Sequence, residues 1–172
     1  MVTKIKEKII VEGDEDKAHL GLVHVLTGDG KGKTTSSIGL AVRALGGNLK
    51  VYMIQFLKSG STGEIYTIKK YLPGMEIMQF GVDAVKERQQ KLVAFTDKGS
   101  KFVFNPDEEE KEAALLGFEH AKKIIASGNY DLVILDEINA VLDKGLIPIK
   151  NVLDLIESHG NVELVFTGRD AP

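Results

Sequence analysis

The chain of 172 residues contains no cysteine and no tryptophan. Without cysteine, neither a disulfide nor a thiolate metal site can form. Its four histidines, His19, His24, His120 and His159, show no metal-ligand spacing. There is little net charge: the formal value is −3, so no global field draws the chain to nucleic acid. No apolar run approaches the length of a membrane span, and the first residues are charged rather than apolar. No membrane partner is expected. Nothing directs the chain elsewhere, so the expected compartment is the cytoplasm. Repeats and low-complexity linkers are missing too. At 43% apolar and 27% charged residues, this is an ordinary composition for one soluble domain with one substantial core.

What is present centres on Thr27-Gly28-Asp29-Gly30-Lys31-Gly32-Lys33-Thr34-Thr35. A short apolar run, 22–26 (LVHVL), precedes it. Residues 36–45 follow with apolar side chains at helical spacing. Strand, glycine loop and helix are the context a phosphate-binding P-loop requires. The glycines let backbone N–H groups turn inward around phosphate oxygens. The helix opening near Lys33 aims the positive end of its dipole at the same place. Lys33 can reach the outer phosphates, and the Thr34 hydroxyl can ligate Mg²⁺. The full pattern has one departure. It wants glycine five residues before Gly32, and that position is Thr27.

The remaining chain alternates strand and helix signals. Residues 1–19 read as an N-terminal arm, a lead-in expected to be partly disordered. Residues 20–172 form the P-loop domain. After the Gly46-Gly47 stop, 49–56 (LKVYMIQF) reads as a buried strand. The polar loop 58–63 follows its carboxyl end, the edge where ligands bind in a parallel αβ sheet. A short helix over 64–71 and a strand over 75–80 come next. Residues 86–91 look like solvated helix. Asn105-Pro106 and the acids of 107–110 read as cap, first helical position and first turn of a helix running to about Ser127. Its apolar stripe is Ala113, Leu116, Phe118, Ala121, Ile124 and Ile125.

Residues 130–137 (YDLVILDE) form a buried strand ending in two carboxylates. Downstream of a P-loop, this is the Walker-B arrangement, in which an acid reaches Mg²⁺ directly or through water. Either Asp136 or Glu137 can fill that role. Two helical pieces, 138–144 and 149–158, precede a last strand over 162–167. Arg169 follows it, at the sheet edge where an arginine can clamp phosphates. The expected fold class is α/β: an open, mostly parallel, P-loop NTPase-like sheet with helices on both faces and right-handed crossovers.

GDGKGKTT, VYMIQFLK, YDLVILDEIN and FTGRDAP occur in this order and at these intervals. The set closely resembles the ATP:corrinoid adenosyltransferases, which adenosylate cob(I)alamin and cob(I)yrinic acid a,c-diamide. The resemblance spans about Gly21 to Pro172. It implies that a Co(I) corrinoid attacks C5′ of ATP, that triphosphate leaves whole, and that a cobalt–carbon bond forms in cobalamin biosynthesis or salvage. It implies ATP lying in reverse along the P-loop, with the γ-phosphate where an ordinary ATPase holds the α-phosphate. Cobalt is then the nucleophile, which agrees with a sequence lacking cysteine and any Ser-His-Asp set.

Carried over by position, the resemblance gives Gly28, Asp29, Gly30, Lys31, Gly32, Lys33, Thr34 and Thr35 to the phosphates. Thr34 with Glu137 or Asp136 takes Mg²⁺. Lys33 and Arg169 stabilise the leaving triphosphate as the catalytic pair. Arg43 lies near the nucleoside. Phe102 and Phe104 match the place of a family segment whose aromatics displace the lower axial ligand of cobalt, although the threonine and tryptophan of that segment are missing here. The family also continues past TGRDAP with a further helical segment, whereas the last residue here is Pro172. An electron-donating flavoprotein and a homodimer are the implied partners. Two other readings compete. One is a P-loop ATPase or kinase acting at the γ-phosphate. The other is a non-catalytic module that binds nucleotide and corrinoid.

Overall fold

The structure, a computed structural model, describes residues 20–95 and 108–172, and side chains outside 89–95. The N-terminal arm and the pair Phe102 and Phe104 lie outside the described residues. The elements run β1 (Val23–Leu26), α1 (Lys33–Gly46), β2 (Val51–Phe56), α2 (Gly63–Tyr71), β3 (Met75–Phe80), α3 (Val82–Phe95), α4 (Glu109–Ala126), β4 (Leu132–Asp136), α5 (Ile138–Asp143), α6 (Ile149–Ser158) and β5 (Glu163–Thr167). The five strands among the described residues are all parallel, in the order β1-β5-β4-β2-β3. The expected α/β class and parallel sheet are therefore observed. The order is what the sequence could not give.

Strands β2 and β4 are buried along their whole length. A strand covered on both faces reads as a continuous apolar run, and VYMIQF and LVILD are such runs. Alternation along each strand divides the core in two. Tyr52, Ile54 and Phe56 face one side, with Val133, Leu135 and side chains of α4, α5 and α6. Val51, Met53, Leu132, Ile134 and Val165 face the other, against Ala41 of α1 and Ile68 of α2.

Helix α4 differs from expectation in two respects. Its described start is Glu109 with Glu108 as N-cap, later than the expected Asn105-Pro106 start; those two residues lie outside the described region. Glu109, Glu110 and Glu112 do occupy the first turn. Two of them also tie neighbours: Lys86 meets Glu109 at 2.6 Å, and Lys144 meets Glu110 at 2.8 Å. Leu116 is 45% exposed and leaves the expected apolar stripe. The buried stripe is Ala113, Ala114, Gly117, Phe118, Ala121 and Ile125. At about 100° per residue, Leu116 falls roughly 60° outside it.

Candidate active site

The loop between β1 and α1 holds the backbone shape that a phosphate cradle needs. Gly28 and Gly32 have φ of 123° and 111°, values that side-chain-bearing residues rarely adopt. An added Cβ at Gly28, Gly30 or Gly32 would meet no atom within 4 Å, so these backbones face open space. Asp29, Lys31 and Thr35 are exposed on the same loop and first helical turn. Helix α1 begins at Lys33 without a side-chain cap. Its first N–H groups and its dipole point into the loop. The Lys33 ammonium donates to the carbonyls of Gly28 and Gly30, the latter at 2.8 Å. A cleft of about 370 Å³ is lined by Gly28, Gly30, Gly32, Lys33 and Ser36 among others.

Thr27, the departure from the motif, has a task of its own. Its Oγ1 accepts a bond from the Ala171 N–H at 3.2 Å. Gly168 N–H donates to Leu26 O at 3.3 Å. These two bonds lay the segment 168–171 along the start of the phosphate loop. Arg169 is exposed on that segment. Arg43 is also exposed but sits in the last turn of α1. Ten residues of helix put it about 15 Å from Lys33, away from the cradle.

Asp136, the last residue of β4, is completely buried. Its Oδ1 accepts from Thr34 Oγ1 at 2.8 Å and from Thr167 Oγ1 at 2.6 Å. Its Oδ2 accepts from Gln55 Nε2 at 3.1 Å and from Lys58 Nζ at 2.7 Å. Four donors from four elements or loops satisfy one carboxylate, as burial of a charge demands. The Gln55 carbonyl in turn accepts from Gln79 Nε2 at 3.1 Å. Gln79, Gln55, Asp136 and Thr167 thus form a polar row across β3, β2, β4 and β5. The row lies on the α1 face at the carboxyl edge, which Thr34 meets from above.

Glu137 follows with φ 66°, a strained value for a residue with a Cβ. It stands at the N-cap of α5 but makes no side-chain capping bond. Its Oε1 lies 3.8 Å from Lys58 Nζ, and its side chain is 26% exposed. Four non-glycine residues have positive φ among those described, and three of them, Leu57, Glu137 and Asp170, follow β2, β4 and β5. Backbone strain of this kind clusters at functional sites.

The structure thus brings together the loop, Thr34, Asp136 and Glu137. Lys58 joins them, a residue not singled out from sequence. The signal was its place two residues after a strand's carboxyl end. Thr34, Asp136 and Glu137 offer hard oxygen donors, the chemistry a Mg²⁺ ion takes. No cluster of three His, Asp or Glu is arranged as a metal cage among the described residues. No helix among the described residues is long and apolar enough to cross a membrane.

Comparison with known proteins places the chain in a family. The model of the family described as ATP:corrinoid adenosyltransferase BtuR/CobO/CobP matches residues 19–172. An uncharacterised protein of Nostoc sp. (strain PCC 7120) is 32% identical over 164 residues, covering 88% of this chain and 40% of that protein. The corrinoid adenosyltransferase of Pseudomonas aeruginosa is 30% identical, covering 97% of this chain and 73% of that enzyme. The corrinoid adenosyltransferase of Escherichia coli K12 is 26% identical, covering 96% and 76%. The matched span takes in the phosphate loop, the buried Asp136 and the segment carrying Arg169, and the chain belongs to the ATP:corrinoid adenosyltransferase family.

Proposed function

We propose that the protein transfers the 5′-deoxyadenosyl group of ATP to the Co(I) of a reduced corrinoid. The cobalt–C5′ bond forms as the C5′–O bond breaks, and triphosphate departs with the electron pair. The observation that carries the reading is Asp136 bonded to Thr34 beside an open glycine cradle. The chain needs no nucleophile of its own, because the corrinoid substrate brings it.

The work left to the protein is electrostatic. The leaving triphosphate gathers negative charge, and the N–H groups of residues 28–35, Lys33 and Arg169 stabilise it. Thr34 with Glu137 or Asp136 would hold Mg²⁺, and Asp136 fixes the Thr34 hydroxyl. When bound there, Mg²⁺ would supply Lewis-acid neutralisation of phosphate oxygens. The nucleotide lies reversed, with its γ-phosphate deepest in the cradle. Arg43, by the family resemblance, contacts the nucleoside. Phe102 and Phe104 act on the lower face of the corrinoid, shedding its axial ligand so that a flavoprotein can reduce Co(II). A homodimer, a flavoprotein donor and a cytoplasmic setting accompany this reading.

The test is incubation with ATP, Mg²⁺ and chemically reduced cobalamin. A light-sensitive alkylcobalamin spectrum with one triphosphate per turnover is expected. ADP as the product would move the protein to γ-phosphate chemistry. Product halting at one equivalent would make it a binding module. The variant Phe102→Ala/Phe104→Ala should lose turnover from Co(II) and keep it from preformed Co(I).

A further inference from the structure

Lys58 Nζ lies 2.7 Å from Asp136 Oδ2, 3.1 Å from Thr34 Oγ1 and 3.8 Å from Glu137 Oε1. These three side chains are the ones given to Mg²⁺ above. An ammonium among the oxygens of a metal site supplies the same kind of neutralisation with half the charge. Asp136 has no exposed surface, and a buried carboxylate stripped of its cation is costly. Lys58 is the cation in contact with it among the described residues.

The backbone of Lys58 is tightly held, while its side chain is partly exposed. Gly81 N–H donates to Lys58 O at 2.8 Å. A Cβ at Gly81 would fall 2.5 Å from Lys58 O and 2.4 Å from Ser59 Oγ, so the two loops close on each other with no room to spare. Leu57, just before, is held at φ 57°. The Lys58 side chain, in contrast, is 30% exposed on a flexible four-carbon stem. Its ammonium can leave Asp136 by side-chain rotation alone and stay at the carboxyl edge, beside the cradle.

We propose that Lys58 is an exchangeable internal cation. Before nucleotide arrives, its ammonium holds Thr34, Asp136 and Glu137 together. It yields that position to the divalent metal entering with ATP, and turns its charge onto the triphosphate. The proposal rests on the nucleotide and metal part of the function above and not on the corrinoid. Two consequences follow from the exchange. A bare metal ion must displace the ammonium into water, so it binds weakly. A metal with triphosphate gives the ammonium a new anion, so each ligand strengthens the other, reciprocally.

The test uses the full chain with Lys58→Gln and Lys58→Met. Glutamine keeps an N–H donor on a shorter side chain and removes the charge. Binding of Mn²⁺ without nucleotide is followed by the loss of its free EPR signal. Both variants should bind Mn²⁺ about tenfold tighter than the wild type, a shift of one decade in Kd. Mg²⁺ without nucleotide should raise the melting temperature of the variants more than that of the wild type. ATP affinity in EDTA should fall in both. Unchanged or weaker Mn²⁺ binding by a folded Lys58→Gln, or melting of both variants indifferent to Mg²⁺, overturns the proposal. Tighter Mn²⁺ binding together with a wild type that makes no triphosphate would leave the exchange standing and remove the adenosyl-transfer reading.

Discussion

Gln55 Nε2 donates to Asp136 Oδ2 across 3.1 Å, and neither residue has any exposed surface. The bond runs between paired strands, since Gln55 and Asp136 are register partners, as are Gln55 and Gln79. Two amides, on the interior strand β2 and the edge strand β3, therefore brace one carboxylate beneath the phosphate loop. A network like this specifies one arrangement only if every member is satisfied.

Gln55→Leu should break the row in the middle. It removes one donor from Asp136 and leaves Gln79 without its acceptor. The expected loss is about 2 kcal/mol of unfolding free energy, the scale of a buried polar group left unpaired. Urea denaturation should show a lower midpoint with an unchanged slope. Affinity for Mg·ATP should fall as well, because Asp136 fixes Thr34. A midpoint equal to that of the wild type would mean the row is incidental.

Lys33→Ala and Thr34→Ala separate binding from folding. Lys33 bonds only to exposed loop carbonyls in the described contacts, so its loss should leave the melting temperature near that of the wild type. Turnover should still drop by about 100-fold or more, the effect of removing one preorganised group from a developing anion. Thr34→Ala should lose activity and some stability together, because Asp136 loses a donor at 2.8 Å. Wild-type rates in both variants would remove the site assignment.

Much of this was legible in the sequence, for identifiable reasons. Helix α5 ends just before Gly145 and helix α6 begins just after Pro148, and the strands are apolar runs between turns. The glycine loop is local in sequence, so its function could be read locally. The polar row was not local. Four of the five described strands carry a polar residue near their end, Gln79, Gln55, Asp136 and Thr167, and of these only Asp136 has a reading in the sequence. Their meeting depends on strand order and register, which periodicity does not encode. Lys58 escaped notice for the same reason, since its partners are 24 and 78 residues away. Leu116 was misplaced because helical spacing gives a stripe but not which edge of it the sheet covers.

His120 should make stability depend on pH in a defined window. Its Nε2 pairs with Tyr52 OH at 2.8 Å, and its ring packs on those of Tyr52 and Phe80. Burial lowers its pKa below the usual 6.5, and the positive charges of Arg88 and Lys123 lower it further. Tyr52 is pushed up to about 12, chiefly by burial, so it stays a neutral phenol throughout. As pH falls below 6.5, the unfolded chain takes up the His120 proton before the folded one does. More protons on the unfolded state mean stability falls with pH in that window. His120→Gln keeps a partner for Tyr52 and cannot titrate. The wild type should lose more stability than this variant between pH 7 and pH 5.5, read from melting temperatures. Parallel curves would contradict the assignment.

Thr27→Gly should weaken the site although it restores the glycine of the general motif. In the structure, Thr27 Oγ1 accepts the Ala171 N–H and helps hold the segment with Arg169 against the loop. Glycine removes that acceptor and adds backbone freedom at the mouth of the cradle. One hydrogen bond of about 1 kcal/mol corresponds to roughly a fivefold loss in affinity for ATP or inorganic triphosphate. Thr27→Ser keeps the hydroxyl and should bind as the wild type does. The two variants together separate the bond from the bulk of the side chain. Calorimetric titration with triphosphate reads both. Equal affinity for all three proteins, or tighter binding by Thr27→Gly, would show that the motif's glycine was simply replaceable and that the tie to Ala171 does not position Arg169.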